Sequence, residues 1–199
     1  SCKTINFNMK TLIIYAHPNT GGHCTEILND VTIELKAKKE DYLLWDLYKM
    51  NYDPILHEKE HYTRGKYDVS KQNQEIQKHI SNAEKLIFIY PVWWNSMPAI
   101  MKGFIDRVFT ARFAFKFVNS MPVGLLKGKK AVVFITSGAN NLFSCIFQGK
   151  RAEKIMKKDI LQYCGIKTKV FQYGGALNFD DNSKVKIKKL VEKGLNWLY

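Results

Sequence analysis

Short apolar runs recur along the chain, and stretches with apolar residues every three or four positions separate them. The runs lack the polar alternation of a strand with one solvated face, so they predict strands buried on both faces. Five such strands are predicted, at residues 10–16, 41–47, 85–90, 130–136 and 167–173. The helical periodicity predicts five helices, at residues 24–38, 70–82, 98–109, 152–163 and 183–198.

This alternation of strands and helices is typical of an α/β protein with a parallel sheet covered on both sides. Right-handed crossovers between short strands then give a doubly wound sheet. The chain of 199 residues shows no linker, repeat or low-complexity tract, so residues 9–199 are predicted to form one domain. Residues 1–8 are polar and lack the apolar core of a signal peptide, and we interpret them as an N-terminal extension or an engineering remnant.

Composition narrows the class of protein further. Hydrophobic residues make up 46% of the chain, which excludes wholesale disorder, and no run of eighteen apolar residues predicts a transmembrane helix. The four cysteines match no zinc-site spacing, so no metal is expected. They are Cys2, Cys24, Cys145 and Cys164. Isolated cysteines of this kind are typical of reduced thiols in a cytoplasm.

The net charge of +13 raises the prospect of nucleic acid, an anionic membrane surface or a phosphorylated ligand as partner. Much of the excess lies at residues 150–158 and 184–193, which have helical patterns. An apolar stripe begins in the second stretch and consists of Val185, Ile187, Leu190, Val191, Leu195 and Leu198. The lysines then occupy a solvated face, and we prefer this interpretation to nucleic-acid binding, for which the chain has no recognition motif.

Ligands of a doubly wound sheet bind beyond the carboxyl ends of its strands. The loop after the first strand, HPNTGGHC at residues 17–24, has glycines that let the backbone approach a phosphate. The helix that follows offers free N–H groups and the positive end of its dipole. The loop is neither GxGxxG nor a Walker sequence, and an ordinary strand-to-helix turn explains it about equally well.

Three further segments carry candidate chemistry. The loop at residues 90–98 contains Trp93 and Trp94, of which one is expected to cover core and the other to offer a flat surface to a ring. Residues 136–141 offer hydroxyl groups and a glycine at the same edge of the sheet. In residues 111–118, Phe113, Phe115 and Phe117 alternate, so an extended segment would place all three on one side, although core packing explains them equally well.

Four long segments together resemble the NAD(P)H:quinone oxidoreductases of the DT-diaphorase kind and their shorter microbial relatives. The resemblance extends from about residue 10 to about residue 175. The segments are DLYKMNYDPIL at 46–56, YPVWWNSMPAIMKGFIDRVF at 90–109, FAFKF at 113–117 and KGKKAVVFITSGA at 127–139.

This resemblance implies a flavodoxin-like fold, a homodimer with active sites at the subunit interface, and FAD, or alternatively FMN, as cofactor. NAD(P)H would be the co-substrate, and a quinone or similar acceptor would be reduced by two electrons in a ping-pong mechanism. By position, the resemblance assigns to the first flavin loop His17, His23 and Cys24, and to the loop along the isoalloxazine ring Pro91, Val92, Trp93, Trp94 and Asn95. It assigns to the polar edge of the ring Thr136, Ser137, Gly138 and Ala139. It places Phe115 and Phe117 in the nicotinamide and quinone pocket.

The chain departs from the family where relatives carry a Tyr and a His assigned to charge relay. Residues 138–162 contain neither, and Phe143, Ser144 and Phe147 lie there instead. We expect flavin reduction to persist through backbone donors but to be slower, with His57 and His61 as a conceivable proton source from the partner subunit. The alternative function is an ancillary flavoprotein or electron carrier. The tryptophan pair and the FAFKF segment favour an enzyme, because a carrier needs no substrate pocket.

Overall fold

The computed structural model of the chain describes residues 10–61 and 68–199. The interpreted N-terminal extension therefore lies outside the described residues. The strands are β1 (Thr11–Tyr15), β2 (Tyr42–Asp46), β3 (Lys85–Pro91), β4 (Phe115–Val118), β5 (Met121–Gly124), β6 (Lys130–Ser137) and β7 (Lys167–Gly174). The α-helices are α1 (His23–Ala37), α2 (Lys71–Asn82), α3 (Ala99–Val108), α4 (Asn141–Ile146), α5 (Arg151–Lys154) and α6 (Asp181–Leu198).

Five strands form one parallel sheet in the order β2-β1-β3-β6-β7, which is the flavodoxin-like order. Apolar side chains of α1 and α6 pack on one face of the sheet, and those of α2, α3 and α5 pack on the other. The predicted doubly wound sheet is therefore confirmed. From β1 the chain crosses to β2 on one side, and β3 lies on the other side, so the order of the strands reverses beside β1.

The central strands are buried on both faces because both faces carry helices. All five residues of β1 are buried, and alternate residues enter opposite cores: Leu12 and Ile14 face the α2–α3 side, and Ile13 faces the α1–α6 side. This double burial explains why the strand segments show no polar alternation.

Most predicted boundaries agree with the structure to within one or two residues, and Pro91 is an instructive exception. The sequence predicts that Pro91 ends the third strand, but β3 continues through it, paired with Thr136 of β6. The pairing of β3 with β1 ends at Ile89. At Pro91 no β1 residue remains to receive an N–H, so the missing donor of proline costs nothing there.

Several elements differ from the prediction. The helix predicted at residues 152–163 is α5 followed by a π-helix at Ile155–Gln162, and the hairpin of β4 and β5, the helix α4 and the 3₁₀ helix Glu58–Glu60 were not predicted. The prediction that three phenylalanines alternate on one side is wrong for Phe113, which lies in a turn with its N–H donated to Thr110 O. Only Phe115 and Phe117 belong to the extended segment.

The lysines of α6 lie on the solvated face, as the apolar stripe indicates. Ile187, Val191, Leu195 and Leu198 are buried, while Val185, which the stripe included, is exposed. In the part of the chain that the structure describes, no helix combines the length and the apolarity needed to cross a membrane.

Candidate active site at the carboxyl edge of the sheet

Two cavities lie at the carboxyl edge of the sheet, one on each side of the loop that follows β1. The first has a volume of about 230 Å³ and is lined by His17, Gly22, His23, Cys24, Pro91, Val92, Trp93, Thr136, Ser137, Gly138 and Ala176. The second, of about 360 Å³, is lined by Tyr15, His17, Pro18, Asn19, Thr20, Thr25, Leu28, Asn29, Asp46, Tyr48 and Lys49. The smaller cavity is the candidate site because the three loops identified in the sequence meet there, beside the reversal of strand order.

The first loop presents unpaired backbone donors at the start of α1. Gly22 caps the helix with a φ of 90° and no side-chain cap, and Glu26 N–H donates to Gly22 O at 3.0 Å. Within the described residues, the N–H groups of His23, Cys24 and Thr25 have no hydrogen-bond partner. Such a helix start attracts anions, since free donors and the helix dipole act together.

Glycine is required at this position for a backbone reason. A φ of 90° disfavours any residue with a Cβ, whereas neighbouring Gly21 has no such φ. No atom lies within 4 Å of the Cβ position of either glycine, so the space in front of the helix start is open. The loop can therefore admit a phosphate close to its backbone.

The second loop is a tight turn with two tryptophans at its tip. Trp93 N–H donates to Ser96 O at 2.9 Å, and Ser96 N–H donates to Trp93 O at 3.0 Å. Trp94 and Asn95, between them, have φ of 50° and 57°, which is the geometry of a type I′ turn. Bulky residues with positive φ are strained, and such strain is concentrated at functional sites.

Neither tryptophan covers core, so the prediction that one of them does is wrong. Trp93 is 43% exposed and lines the cavity, where its ring lies 6.5 Å from that of His17. Trp94 is fully exposed at the tip of the turn. Trp93 therefore offers a flat apolar surface to the cavity, whereas Trp94 lies at the tip of the same turn and outside the cavity lining.

In the third loop the carbonyl groups of Ser137 and Ala139 accept hydrogen bonds, while three N–H groups are free. Ala176 N–H donates to Ser137 O at 2.9 Å, and Gly175 N–H donates to Ala139 O at 3.0 Å. In the described part of the chain, the N–H groups of Gly138, Ala139 and Asn140 have no hydrogen-bond partner. Gly138 lines the cavity, so its loop offers donors to an acceptor that enters there.

Two titratable groups of the cavity, Cys24 and His23, are neutral at physiological pH. Burial raises the pKa of the Cys24 thiol to about 12, although Thr136 hydrogen-bonds to it. Burial lowers the pKa of His23, whose ring packs against Tyr173 at 5.0 Å and Phe179 at 5.1 Å. With both groups uncharged, the positive end of the α1 dipole dominates this side of the cavity.

The structure brings together most of the predicted cofactor-binding residues. His17, His23, Cys24, Pro91, Val92, Trp93, Thr136, Ser137 and Gly138 line the cavity. Trp94, Asn95 and Ala139 belong to the same loops but do not line it. Phe115 and Phe117 lie on the hairpin instead: Phe115 packs against Tyr163 at 5.2 Å, and Phe117 is 62% exposed.

The residues discussed for proton transfer do not line the cavity. After the third loop, Phe143 and Phe147 form an exposed pair with ring centroids 5.0 Å apart. His57 Nε2 lies 2.6 Å from Asp53 Oδ2, and neither His57 nor His61 lines either cavity.

Sequence reasoning missed Gly22 as a specific requirement and Ala176 altogether. Ala176 follows the pair Gly174–Gly175 at the end of β7, which is a fourth loop at the same edge of the sheet. A Cβ on Gly174 would collide with Asn141, so β7 passes directly against the third loop. The glycine pair after the fifth strand was the signal that could have identified this loop.

Comparison with known proteins agrees with this geometry. A family model described as flavodoxin-like fold matches residues 9–196. An uncharacterized NAD(P)H oxidoreductase of Haemophilus influenzae is 32% identical over 180 residues, covering 89% of each chain. An FMN-dependent NADH:quinone oxidoreductase of Clostridium perfringens is 32% identical over 195 residues, covering 94% of this chain and 96% of its own. A crystal structure from Streptococcus mutans matches with a TM-score of 0.83 and 34% identity, covering 94% of this chain and 100% of that one. The chain therefore belongs to the flavodoxin-like fold family and, within it, to the NAD(P)H:quinone oxidoreductases.

Proposed function

We propose that this protein is a flavin-dependent NAD(P)H oxidoreductase that reduces quinones or similar acceptors by two electrons. One observation carries the proposal: two loops with unpaired backbone N–H groups and a third loop with Trp93 line one cavity at the reversal of strand order. A flavin presents a phosphate, a flat ring and a row of polar ring atoms, and these match the three loops in turn. When bound, it would take a hydride from NAD(P)H and pass two electrons to the acceptor.

The residues divide the binding of the cofactor between them. The N–H groups at the start of α1, beyond Gly22, would hold the phosphate. The turn around Trp93 would lie along the ring, and the N–H groups of Gly138 and Ala139 would donate to its polar edge. We propose FMN as the cofactor, with FAD as the alternative, because the relative named as FMN-dependent matches along 96% of its length.

We also propose a two-fold homodimer, which the hairpin of β4 and β5 supports. Phe117 is 62% exposed, Val118 44% and Met121 68%, so the hairpin presents apolar side chains to solvent, Phe117 on one face and Val118 with Met121 on the other. Exposed apolar surface of this kind often marks interfaces, and the two-fold dimer is the commonest assembly. In such a dimer Phe115 and Phe117 would approach the site of the partner subunit and contribute to its substrate pocket.

A cytoplasmic location is a further proposal. Cys24, Cys145 and Cys164 are free thiols in the structure, and thiols of this kind are typical of proteins in a reducing compartment.

The test of the proposed function is the binding of FMN to the apoprotein, followed by fluorescence, with Gly22→Ala and the matched control Gly21→Ala. Both changes add one methyl group in open space, but only Gly22 has a positive φ. We expect one FMN per subunit for the wild type, a roughly tenfold weaker affinity for Gly22→Ala and little change for Gly21→Ala. Absence of binding of either FMN or FAD at micromolar concentration would refute the proposal.

The same preparation separates an enzyme from an electron carrier. The enzyme is expected to lose its flavin absorbance when NADH or NADPH is added without oxygen, and to regain it with a quinone. A carrier would bind flavin but would not be bleached by either nucleotide. Comparing the two nucleotides also identifies the preferred one.

A further inference from the structure

Gln172 of β7 ties the third loop to α4 through its side-chain amide. Its Nε2 donates to Ser137 Oγ at 2.8 Å and to Ser144 Oγ at 3.2 Å. Ser137 is 7% exposed and Ser144 is 5% exposed, so water competes little for these bonds. A second bond reinforces the connection, because the side chain of Asn141 donates from Nδ2 to the main-chain oxygen of Gln172 at 3.3 Å. Gln172 therefore joins two segments that lie on either side of the loop's free N–H groups.

The directions of the hydroxyl protons show why a glutamine is suited to this position. Ser137 Oγ donates its proton to Ala139 O at 2.8 Å, and Ser144 Oγ donates its proton to Gln148 Oε1 at 3.1 Å. Each hydroxyl has one proton, so each serine can only accept from Gln172. Both N–H bonds of the amide are thereby used. A carboxylate of the same size has no donor, and a thioether has none either.

The bonds continue from Gln172 to the backbone that faces the cavity. Ala139 O accepts both from Ser137 Oγ and from Gly175 N–H, while Ser137 O accepts from Ala176 N–H. Because the peptide group is planar and trans, fixing these two carbonyls turns the N–H groups of Gly138 and Asn140 to the opposite side. The orientation of the free donors thus depends on bonds that pass through the Ser137 hydroxyl.

We propose that Gln172 is a positioning residue for this site, which orients the third loop so that its N–H groups stabilise negative charge inside the cavity. The proposal rests on the proposed function, since the charge in question arises when a bound flavin is reduced. Donors held in place before reaction stabilise developing charge better than donors that must reorient. Loss of Gln172 should therefore weaken the stabilisation of the reduced form more than that of the oxidised form.

The test compares Gln172→Met with a matched control, Gln77→Met. Gln77 of α2 also donates two bonds from its Nε2, to Val108 O at 2.9 Å and to Thr110 Oγ1 at 3.2 Å, but it is remote from the cavity. FMN affinity and the midpoint potential of bound FMN are measured for each purified variant. We expect Gln172→Met to bind FMN roughly tenfold more weakly and to have a more negative potential. Gln77→Met should change neither quantity, although both variants lose thermal stability.

Gln172→Glu gives a second readout that a merely structural role would not produce. Its carboxylate cannot donate to the serines and adds negative charge beside the loop, whereas its protonated form regains one donor. The midpoint potential of this variant should therefore be more negative than that of Gln172→Met at high pH, and should recover as the pH falls. The wild type and Gln77→Met should lack this additional pH dependence.

Ser137→Ala keeps the inference testable if Gln172→Met folds poorly, and a double-mutant cycle combines the two changes where both fold. Because Gln172 acts through the Ser137 hydroxyl, Ser137→Ala should shift the potential in the same direction, and the double variant should shift it by less than the sum. Additive shifts, or a wild-type potential and FMN affinity in Gln172→Met, would overturn the inference. Failure of the wild type to bind flavin would refute the proposed function instead, so the two failures are distinguishable.

Discussion

The Sγ atom of Cys24 lies 3.2 Å from Oγ1 of Thr136, and this buried hydrogen bond joins the first and third loops of the site. Cys24 belongs to the first turn of α1, and Thr136 lies near the end of β6, 112 positions along the chain. The contact sets the distance between the helix start that would hold a phosphate and the loop that would hold the ring edge. It also shields the thiol, because both side chains are almost completely buried.

The cysteines should differ sharply in reactivity. Burial raises the pKa of Cys24 and of Cys164 to about 12, so both remain protonated at pH 8, and the thiolate is the form that reacts. Iodoacetamide applied to the native protein at pH 8 should modify the exposed Cys145 and spare Cys24 and Cys164, as peptide mass mapping would show. The denatured protein is the control, in which all three react. Labelling of native Cys24 as fast as Cys145 would contradict the described packing.

The backbone donors of the third loop should matter for flavin reduction. Gly138→Pro removes one free N–H, whereas Gly138→Ala keeps it and brings a Cβ only to 3.2 Å from Leu177 Cδ2, the end of a flexible side chain. In stopped-flow measurements with NAD(P)H, we expect the proline variant to be reduced roughly 100-fold more slowly and the alanine variant to stay near the wild type. Equal rates in the proline variant and the wild type would eliminate these donors as the source of charge stabilisation.

Reduction should persist without the family's Tyr and His, though more slowly than in relatives that have both. A fully used proton relay contributes roughly two to four orders of magnitude, and positioning of the reactants contributes more. His57→Ala combined with His61→Ala tests whether the relay has moved to the loop after β2. Neither ring lines either of the two described cavities, so we expect a contribution from these residues to come from a partner subunit. If the double variant is no longer reduced, the loop after β2 has taken over the proton relay that the family's Tyr and His provide.

Stability should depend on a buried ion pair outside the site. Arg107 donates to both carboxylate oxygens of Glu60 at 2.9 Å, and the two side chains are 6% and 4% exposed. Glu60→Gln should cost up to about 3 kcal/mol in the free energy of unfolding, because it leaves the buried guanidinium with only the half-exposed Asp53 carboxylate, at 3.2 Å, as charge partner. Asp106→Asn is the control on the same helix: it breaks an exposed pair with Lys102 and should cost less than about 1 kcal/mol. Urea unfolding measures both, and similar losses would contradict the burial of the pair.

The same pair predicts a dependence of stability on pH. Burial alone would raise the pKa of Glu60, but hydrogen bonds from Arg107 outweigh it and hold the pKa below the usual value of 4.5. A carboxylate with a lowered folded pKa stabilises the protein fully at neutral pH, and the stabilisation is lost as the pH falls below about 4.5 and through the folded pKa. Glu60→Gln should flatten this part of the curve of unfolding free energy against pH. A wild-type slope in the variant would assign the acid sensitivity to other carboxylates.

The hairpin should control assembly. Phe117→Glu places a charge among the exposed apolar side chains of the hairpin, whereas Ile33→Glu places it at an exposed apolar position of α1, outside the hairpin. Light scattering should show a dimer for the wild type and Ile33→Glu, and a monomer with reduced turnover for Phe117→Glu. A fully active wild-type monomer would exclude the proposed interface.

Local pattern alone determined the class of fold and the general place of the site. The apolar run of β1 and the periodicity of α1 depend on near neighbours in the chain, and strand and helix geometry follow from such spacing. Because parallel strands end at one edge, the loops after β1, β3 and β6 could be assigned to a common crevice before any contact was known.

Contacts between distant parts of the chain decided the rest. Cys24 contacts Thr136, and Gln172 donates to Ser137, although no spacing rule connects the members of these pairs. Ala176 likewise lines the cavity although it is distant in the sequence from the other lining residues. The exposure of Trp93 and Trp94 was equally beyond prediction, because a tryptophan in a loop can cover core or face solvent. Only the packed sheet sets the direction of the turn that carries them, since burial and hydrogen-bond geometry depend on which atoms fill the neighbouring space.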